Sequence, residues 1–174
     1  AAEARRLAAD PEVALVEPPR LYELDTDIGP GLIGAPGIWD GTNTGGAPGT
    51  YGEGMIVGII DSGINHDHPS FAATADVGPD APYTHTNPFG SGNYTGFCAD
   101  NPGDPDFVCN DKLIGAYDFV FDVVMSDPNA DEDPVPDDEN GHGSHVASTA
   151  IGNFVTSNFI GLDPDVSGVA PRAN

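Results

Sequence analysis

The sequence predicts an α/β fold with a parallel sheet, and three stretches support this prediction. Met55–Ile60 is a nearly unbroken apolar run, which is typical of a strand buried on both faces of a parallel sheet. Lys112–Phe121 is rich in apolar residues and is predicted to form a second buried strand. Asn140–Gly152 consists almost wholly of small residues, and we expect a closely packed helix there.

The start and the end of this helix have local signals. Asp138, Glu139 and Asn140 are residue types that favour a helix N-terminus through charge and capping. Gly152 is a plausible C-terminal stop. His142 therefore falls in the first turn, where the backbone is fixed and the ring can face a cleft.

Asp61 directly follows the apolar run Met55–Ile60. In open α/β sheets, ligands bind beyond the carboxyl ends of the strands, which is where this aspartate would lie. His142 comes 81 residues later. An aspartate that ends a strand and a histidine that begins a helix are two members of an acid–base–nucleophile set.

The motifs around these two residues resemble those of subtilisin-like serine proteases. Gly58–Ile64, with His68–Phe71, is similar to the aspartate motif of that family. Asn140–Ala147 (Asn-Gly-His-Gly-Ser-His-Val-Ala) resembles the histidine motif, and Gly168–Pro171 resembles the turn that follows it. The motifs occur in the family's order and cover most of residues 54–171.

The resemblance implies a three-layer parallel-sheet domain that hydrolyses peptide bonds in proteins or peptides, with Asp61 and His142 as catalytic residues. The Gly-Thr-Ser-Met-Ala segment that contains the family's nucleophile does not occur in this sequence. The asparagine that forms the family's oxyanion hole, well downstream of the histidine, is also absent. We therefore expect a precursor truncated before the catalytic serine, inactive alone, whose partner is the missing C-terminal part of the domain. Four serines lack the family context: Ser144, Ser148, Ser157 and Ser167.

The amino-acid composition excludes some classes of binding partner and indicates the cellular compartment of the protein. The 28 acidic and 5 basic residues give a formal net charge of −23, which argues against nucleic acid or an anionic membrane as a partner. No apolar stretch reaches the roughly 18 residues that a membrane span needs. The acidity fits a secreted, extracellular protein, or alternatively a surface that selects basic substrates.

Two cysteines, Cys98 and Cys109, lie in a polar region rich in glycine and proline. A disulfide between them would close a loop of about 12 residues and contribute roughly 3 kcal/mol, while two reduced thiols are the alternative. Some subtilisin-like proteases pair cysteines before a segment like Cys109–Ala116 (Cys-Asn-Asp-Lys-Leu-Ile-Gly-Ala). This resemblance implies the disulfide and an oxidising compartment.

The N-terminal residues resemble the end of the family's inhibitory pro-segment. Residues 1–9 are strong helix formers, Asp10-Pro11 interrupts them, and Val13–Val16 favours a strand. We expect residues 1–25 to be the C-terminal end of an α+β pro-segment and residues 26–174 to begin the catalytic domain. An ordinary N-terminal extension is the alternative. Residues 27–54, dense in glycine and proline, are expected to form a surface connection anchored by Ile38-Trp39.

Residues 122–139 contain eight acids, which usually indicates a solvated loop. A structural calcium site and an acidic rim that selects basic substrates are the alternatives. Ser70 occupies a position where many bacterial family members have a calcium-binding aspartate, so calcium is an unsupported cofactor. The implied chemistry itself needs no cofactor.

Two other function classes compete with the protease interpretation. A metal-binding module could use His66-Asp67-His68 together with His142 and His145 as ligands. A non-catalytic pseudo-protease or inhibitory module would lack the serine natively. Under the protease interpretation, His145 is expected to pack against the core and His68 to shape a turn. His66 and His85 are then expected to be exposed.

Overall fold

The computed structural model describes residues 6, 13, 28–100, 106–119, 135–157 and 165–174. Apart from Arg6 and Val13, the expected pro-segment lies outside these residues, as does most of the acidic stretch. The described elements, in chain order, are α1 (Gly29–Leu32), α2 (Ala35–Trp39), a 3₁₀ turn (Pro69–Phe71), β1 (Thr74–Ala75), β2 (Tyr83–Thr84), β3 (Thr95–Gly96), α3 (Phe97–Asp100), β4 (Gly115–Ala116), α4 (His142–Ile151), β5 (Val155–Thr156) and β6 (Asp165–Val166).

The strands form three short pairs within the described residues. β1 pairs antiparallel with β2, and β5 pairs antiparallel with β6. β3 and β4 are parallel, with Thr95 opposite Gly115. Helices and strands both occur, as predicted, but two of the three described pairs are antiparallel, so these pairs do not by themselves show the predicted parallel sheet.

The prediction that Met55–Ile60 forms a strand buried on both faces is wrong for this structure. The segment is not a strand, and its side chains are exposed, with 93% of Ile60 accessible. Only its beginning is paired: Asn174 N–H donates to Met55 O, and Val57 N–H donates to Asn174 O, each at 2.9 Å. The physical reason is that, among the described residues, no strand lies along the segment: besides the parallel contact with Asn174, its backbone makes only the local hydrogen bond from Met55 N–H to Gly52 O, at 3.1 Å.

The second predicted buried strand, Lys112–Phe121, is correct only in its first half. Ile114 and Ala116 are buried, and β4 occupies Gly115–Ala116. Beyond β4 the prediction fails, because Tyr117 and Phe119 stack on each other and are 59% and 81% exposed.

Lys112 is the most deeply buried charged residue among the described residues, with 1% of its surface exposed. Its ammonium group donates hydrogen bonds to the carbonyl oxygens of Ile151, Pro171 and Ala173. Burial lowers the pKa of Lys112 to about 7. A single side chain thus joins the end of α4 to the C-terminal turn.

A small apolar core lies beside the predicted disulfide. Phe97, Phe107 and Ala116 form its centre, and both cysteines pack against it. The structure joins Cys98 to Cys109, with 5.5 Å between their Cα atoms. The bridge therefore fastens α3 to the segment that leads into β4.

Of the predicted anchor Ile38-Trp39 in residues 28–54, Ile38 is exposed, whereas Trp39 is confirmed. Its indole N–H donates to Val169 O at 2.9 Å, and its ring packs against Tyr51 and Phe154. The expectation of a wholly irregular connection is wrong, because α1 and α2 form there, each with a proline in its first turn.

His85 is 3% exposed, so the expectation of an exposed loop residue is wrong. Its Nε2 lies 2.7 Å from Asn153 Oδ1. The Asn153 amide nitrogen already donates to the carbonyl oxygens of Pro69 and Ala72, so Oδ1 must accept and Nε2 must hold the proton. Because burial lowers the pKa of His85 to about 4, the ring is a neutral imidazole near pH 7, with its proton on Nε2.

We expect His85 to make the protein sensitive to acid. Burial, reinforced by the charge of Lys112, lowers the pKa of His85 to about 4, whereas an unfolded histidine titrates near 6.5. Between these values the unfolded chain takes up a proton that the folded chain cannot. The free energy of unfolding should therefore fall by about 3 kcal/mol as the pH drops from 6.5 to 4.

Denaturant unfolding at several pH values measures this contribution. His85→Gln is the matched variant, since an amide N–H can still donate to Asn153 but does not titrate. The unfolding free energy of the unsubstituted protein minus that of His85→Gln should therefore decrease by about 3 kcal/mol as the pH falls from 6.5 to 4. A difference that stays constant from pH 7 to pH 4 would contradict the role assigned to His85.

Candidate active site

Asp61 and His142 meet in the structure. His142 Nδ1 lies 2.7 Å from Asp61 Oδ1, and the same carboxylate oxygen accepts the backbone N–H of Ser62 at 2.8 Å. The Asp61 side chain is 20% exposed, whereas the His142 side chain is 66% exposed. The carboxylate is therefore partly sheltered, and the imidazole lies at the surface.

The charge state of Asp61 determines where the imidazole proton lies. The hydrogen bond from His142, followed by the one from Ser62 N–H, lowers the pKa of Asp61. An ionised carboxylate can only accept, so His142 Nδ1 must be the donor. In the neutral imidazole, Nε2 then has a free lone pair, which is the state that a general base requires. No hydrogen bond to Nε2 forms within the described part of the chain.

The backbone conformation two residues after Asp61, at Gly63, requires a glycine. Gly63 has φ +126°, and a Cβ atom there would lie 2.6 Å from Asp137 O. Ile64 N–H donates to Pro136 O at 2.9 Å. The segment that follows Asp61 is thus held directly against the segment that precedes α4.

The helix that presents His142 agrees with the prediction. It begins at His142, ends at Ile151, and has Gly152 at its C-cap. A Cβ atom on Gly143 would collide with the backbone of Gly63, so only glycine allows the first turn to approach the Asp61 segment this closely. The predicted use of small residues for close packing is confirmed at this position.

Asp138 and Ser62 form a polar network beside the pair. The Asp138 carboxylate accepts the backbone N–H groups of Asn140, Gly141 and Ser144. It also accepts the hydroxyl of Ser62, and that hydroxyl in turn accepts Gly143 N–H. From the sequence, Asp138 is predicted to favour the helix N-terminus and is one of the eight acids of residues 122–139. Its position six residues before Ser144 gave no signal of a contact with Ser62.

The other histidines do not gather around a common point. His66 packs against the Phe107 ring, at 4.5 Å between centroids, so the expectation of an exposed residue is wrong. His68 Nδ1 accepts Ser70 N–H and caps the 3₁₀ turn, as expected. His145 is half-buried on α4. The described residues contain no group of three or more histidine, cysteine, aspartate or glutamate side chains suited to a metal ion.

Comparison with known proteins places these features in a family context. A sequence model of the Subtilase family matches residues 52–174. The Arabidopsis thaliana subtilisin-like protease SBT2.1 is 36% identical over 180 residues, which cover 99% of this chain and 20% of the relative. SBT2.3 is 35% identical, with 98% and 20% covered, and SBT1.4 is 35% identical, with 87% and 18% covered. The chain spans about a fifth of the length of these curated relatives.

No solved structure matches the chain. No helix in the ranges that the structure describes has both the length and the apolar character needed to cross a membrane.

Proposed function

Because the chain belongs to the subtilase family, we propose that it provides the aspartate and the histidine of an Asp-His-Ser triad in a serine endopeptidase. The observation on which this proposal rests is the 2.7 Å hydrogen bond between Asp61 and His142. The surface position of the imidazole supports it, because a general base must reach both the nucleophile and the substrate.

In the proposed mechanism, His142 Nε2 accepts the proton of a serine hydroxyl as its oxygen attacks the carbonyl carbon of a peptide bond. The imidazolium that forms is stabilised by Asp61, which accepts from Nδ1 and holds the ring orientation. When the tetrahedral intermediate collapses, the C–N bond breaks, Nε2 returns the proton to the leaving amine, and the acyl group remains on the serine as an ester. In the second half of the reaction, Nε2 accepts a proton from water as the water oxygen attacks this ester, and the proton then returns to the departing serine oxygen. These roles are those established for subtilisin and are transferred to Asp61 and His142 by motif.

The nucleophile is proposed to come from outside this sequence. The Ser62 hydroxyl donates to the Asp138 carboxylate, and the Ser144 hydroxyl accepts the backbone N–H of Asn65. The Ser148 hydroxyl donates to a carbonyl oxygen of its own helix. Within the described ranges, none of these hydroxyl groups is hydrogen-bonded to His142. The chain alone is therefore proposed to be inactive.

The proposed domain division follows the family. Residues 1–25 would be the end of an inhibitory pro-segment, and residues 26–174 the N-terminal part of a three-layer catalytic domain. The parallel contact of Asn174 with Met55 and Val57 supports a parallel sheet, and the exposed run that ends at Ile60 supports further covering layers. The proposed partners are protein or peptide substrates and the rest of the catalytic domain, in a secreted zymogen without a cofactor for its chemistry.

The test compares the full-length protein with the isolated 174-residue chain on a peptide nitroanilide. The processed full-length protein should release nitroaniline and lose activity after treatment with a sulfonyl fluoride. The isolated chain should show no activity above the blank. Inactivity of the correctly folded, processed full-length protein would contradict the proposal and favour the non-catalytic module.

A further inference from the structure

Asp138 lies at the centre of the contacts that join the two halves of the site. It is half-buried, and its two oxygens together accept four hydrogen bonds. Three of the donors are backbone N–H groups at the start of α4, at Asn140, Gly141 and Ser144. These N–H groups have no partner inside the helix, so the carboxylate satisfies them and fixes the first turn.

The fourth donor connects Asp138 to the opposite side of the site. The Ser62 hydroxyl donates to Asp138 Oδ1 at 2.8 Å and accepts Gly143 N–H at 2.9 Å. Ser62 directly follows Asp61 in the chain, and Gly143 directly follows His142. One hydroxyl and one carboxylate therefore link the residues adjacent to both members of the pair.

We infer that Asp138 is a positioning residue that, through Ser62 and the first turn of α4, holds Asp61 Oδ1 within hydrogen-bonding distance of His142 Nδ1. As a statement about catalysis, the inference rests on the proposed function. As a statement about geometry, it rests only on the contacts described above. Neither oxygen of Asp138 contacts the reacting groups, so its effect is indirect.

The contacts require an ionised carboxylate and not merely a polar side chain of the same shape. Burial raises the pKa of Asp138, but hydrogen bonds from Ser144, Ser62 and Gly141 outweigh burial and hold the pKa well below its usual range. An amide in its place has one accepting oxygen and one donating nitrogen. The amide nitrogen would lie either at the position of Oδ2, facing Ser144 N–H, or at the position of Oδ1, facing the donors from Ser62, Asn140 and Gly141. In either orientation two hydrogen-bond donors would point at each other.

The first test replaces Asp138 by asparagine in the full-length protein. Asp138→Asn should lower kcat by about 100-fold with little change in KM, because a small displacement of a catalytic group costs about that much. The matched control is Asp40→Asn, since Asp40 also accepts a backbone N–H and a hydroxyl, both from Thr42. This control should keep the activity of the unsubstituted protein.

The second test observes the pair directly and does not need activity. The His142 Nδ1 proton, hydrogen-bonded to Asp61, should give a low-field proton NMR resonance in the full-length protein. That resonance should move upfield or broaden in Asp138→Asn and in Ser62→Ala. It should return in Ser62→Thr, which restores the hydroxyl. The Ser62 variants also serve as the test if Asp138→Asn does not fold.

The outcomes separate this inference from the proposed function. An Asp138→Asn protein with an unchanged resonance and unchanged kcat would overturn the inference while leaving the proposed function intact. A protein that lacks peptidase activity, but whose resonance responds to Asp138→Asn and Ser62→Ala, would support the positioning role and contradict the proposed function.

Discussion

Replacing His142 by alanine in the full-length protein should lower kcat for a peptide substrate by about 10⁶-fold, which is the loss measured in subtilisin itself. The expected loss is large because His142 is the group that would move the proton in both halves of the reaction. Asp61→Asn should cost about 10⁴-fold, since an amide no longer selects the tautomer with the proton on Nδ1. KM should change little in both variants, because neither side chain is assigned to substrate binding.

The matched control for this prediction is His145→Gln. His145 lies on the same helix, one turn beyond His142, but it is half-buried and does not bond Asp61. Most of the activity should remain in this variant. Initial rates under saturating and limiting substrate measure both constants. A His142→Ala protein that keeps more than a few per cent of the normal kcat would exclude His142 as the general base.

Replacing Lys112 by methionine should lower the free energy of unfolding by about 3 kcal/mol, the low end for three unsatisfied acceptors, because removing the ammonium also removes the cost of burying its charge. Methionine has a similar length but no donor, so the carbonyl oxygens of Ile151, Pro171 and Ala173 would remain buried without this partner. A buried acceptor without a partner costs about 1–3 kcal/mol, and three of them lie at this one point. The loss should exceed that of an ordinary apolar substitution in the core.

The measurement for Lys112 is denaturant unfolding at pH 6, below the lowered pKa of about 7, where the ammonium form supplies three donors. Leu113→Met is the control, because the neighbouring residue is half-buried and a volume-conserving apolar exchange costs less than about 1.5 kcal/mol. Equal stability of the two variants would show that the three hydrogen bonds contribute little.

The features predicted correctly from sequence are those with a local physical cause. The helix from His142 to Ile151 is predicted from its small residues and its terminal glycine, although its N-cap is Gly141, which makes no side-chain cap bond. Close packing of its glycines is also predicted, and Gly143 packs against Gly63. The contact between Asp61 and His142 follows from motif order. Neighbouring residues contain most of the information for the helix; the contact across 81 residues is the exception, because it is predicted from the family resemblance.

The features that were missed depend on distant parts of the chain. Whether Met55–Ile60 is buried depends on what covers it, and an apolar run does not contain that information. His85 is buried and hydrogen-bonded to Asn153, which lies 68 residues away in the sequence. Asp138 meets Ser62 across 76 residues. Such long-range polar contacts leave no periodic pattern that sequence analysis could use.

The central proposal is that His142, oriented by Asp61, is the general base of a serine protease. A structure of the full-length protein after reaction with a peptidyl phosphonate tests it most directly. We expect a covalent bond from phosphorus to a serine oxygen, with His142 Nε2 within about 3 Å of that oxygen and Nδ1 still bonded to Asp61. A phosphonate bound to a residue out of reach of His142 would contradict the claim.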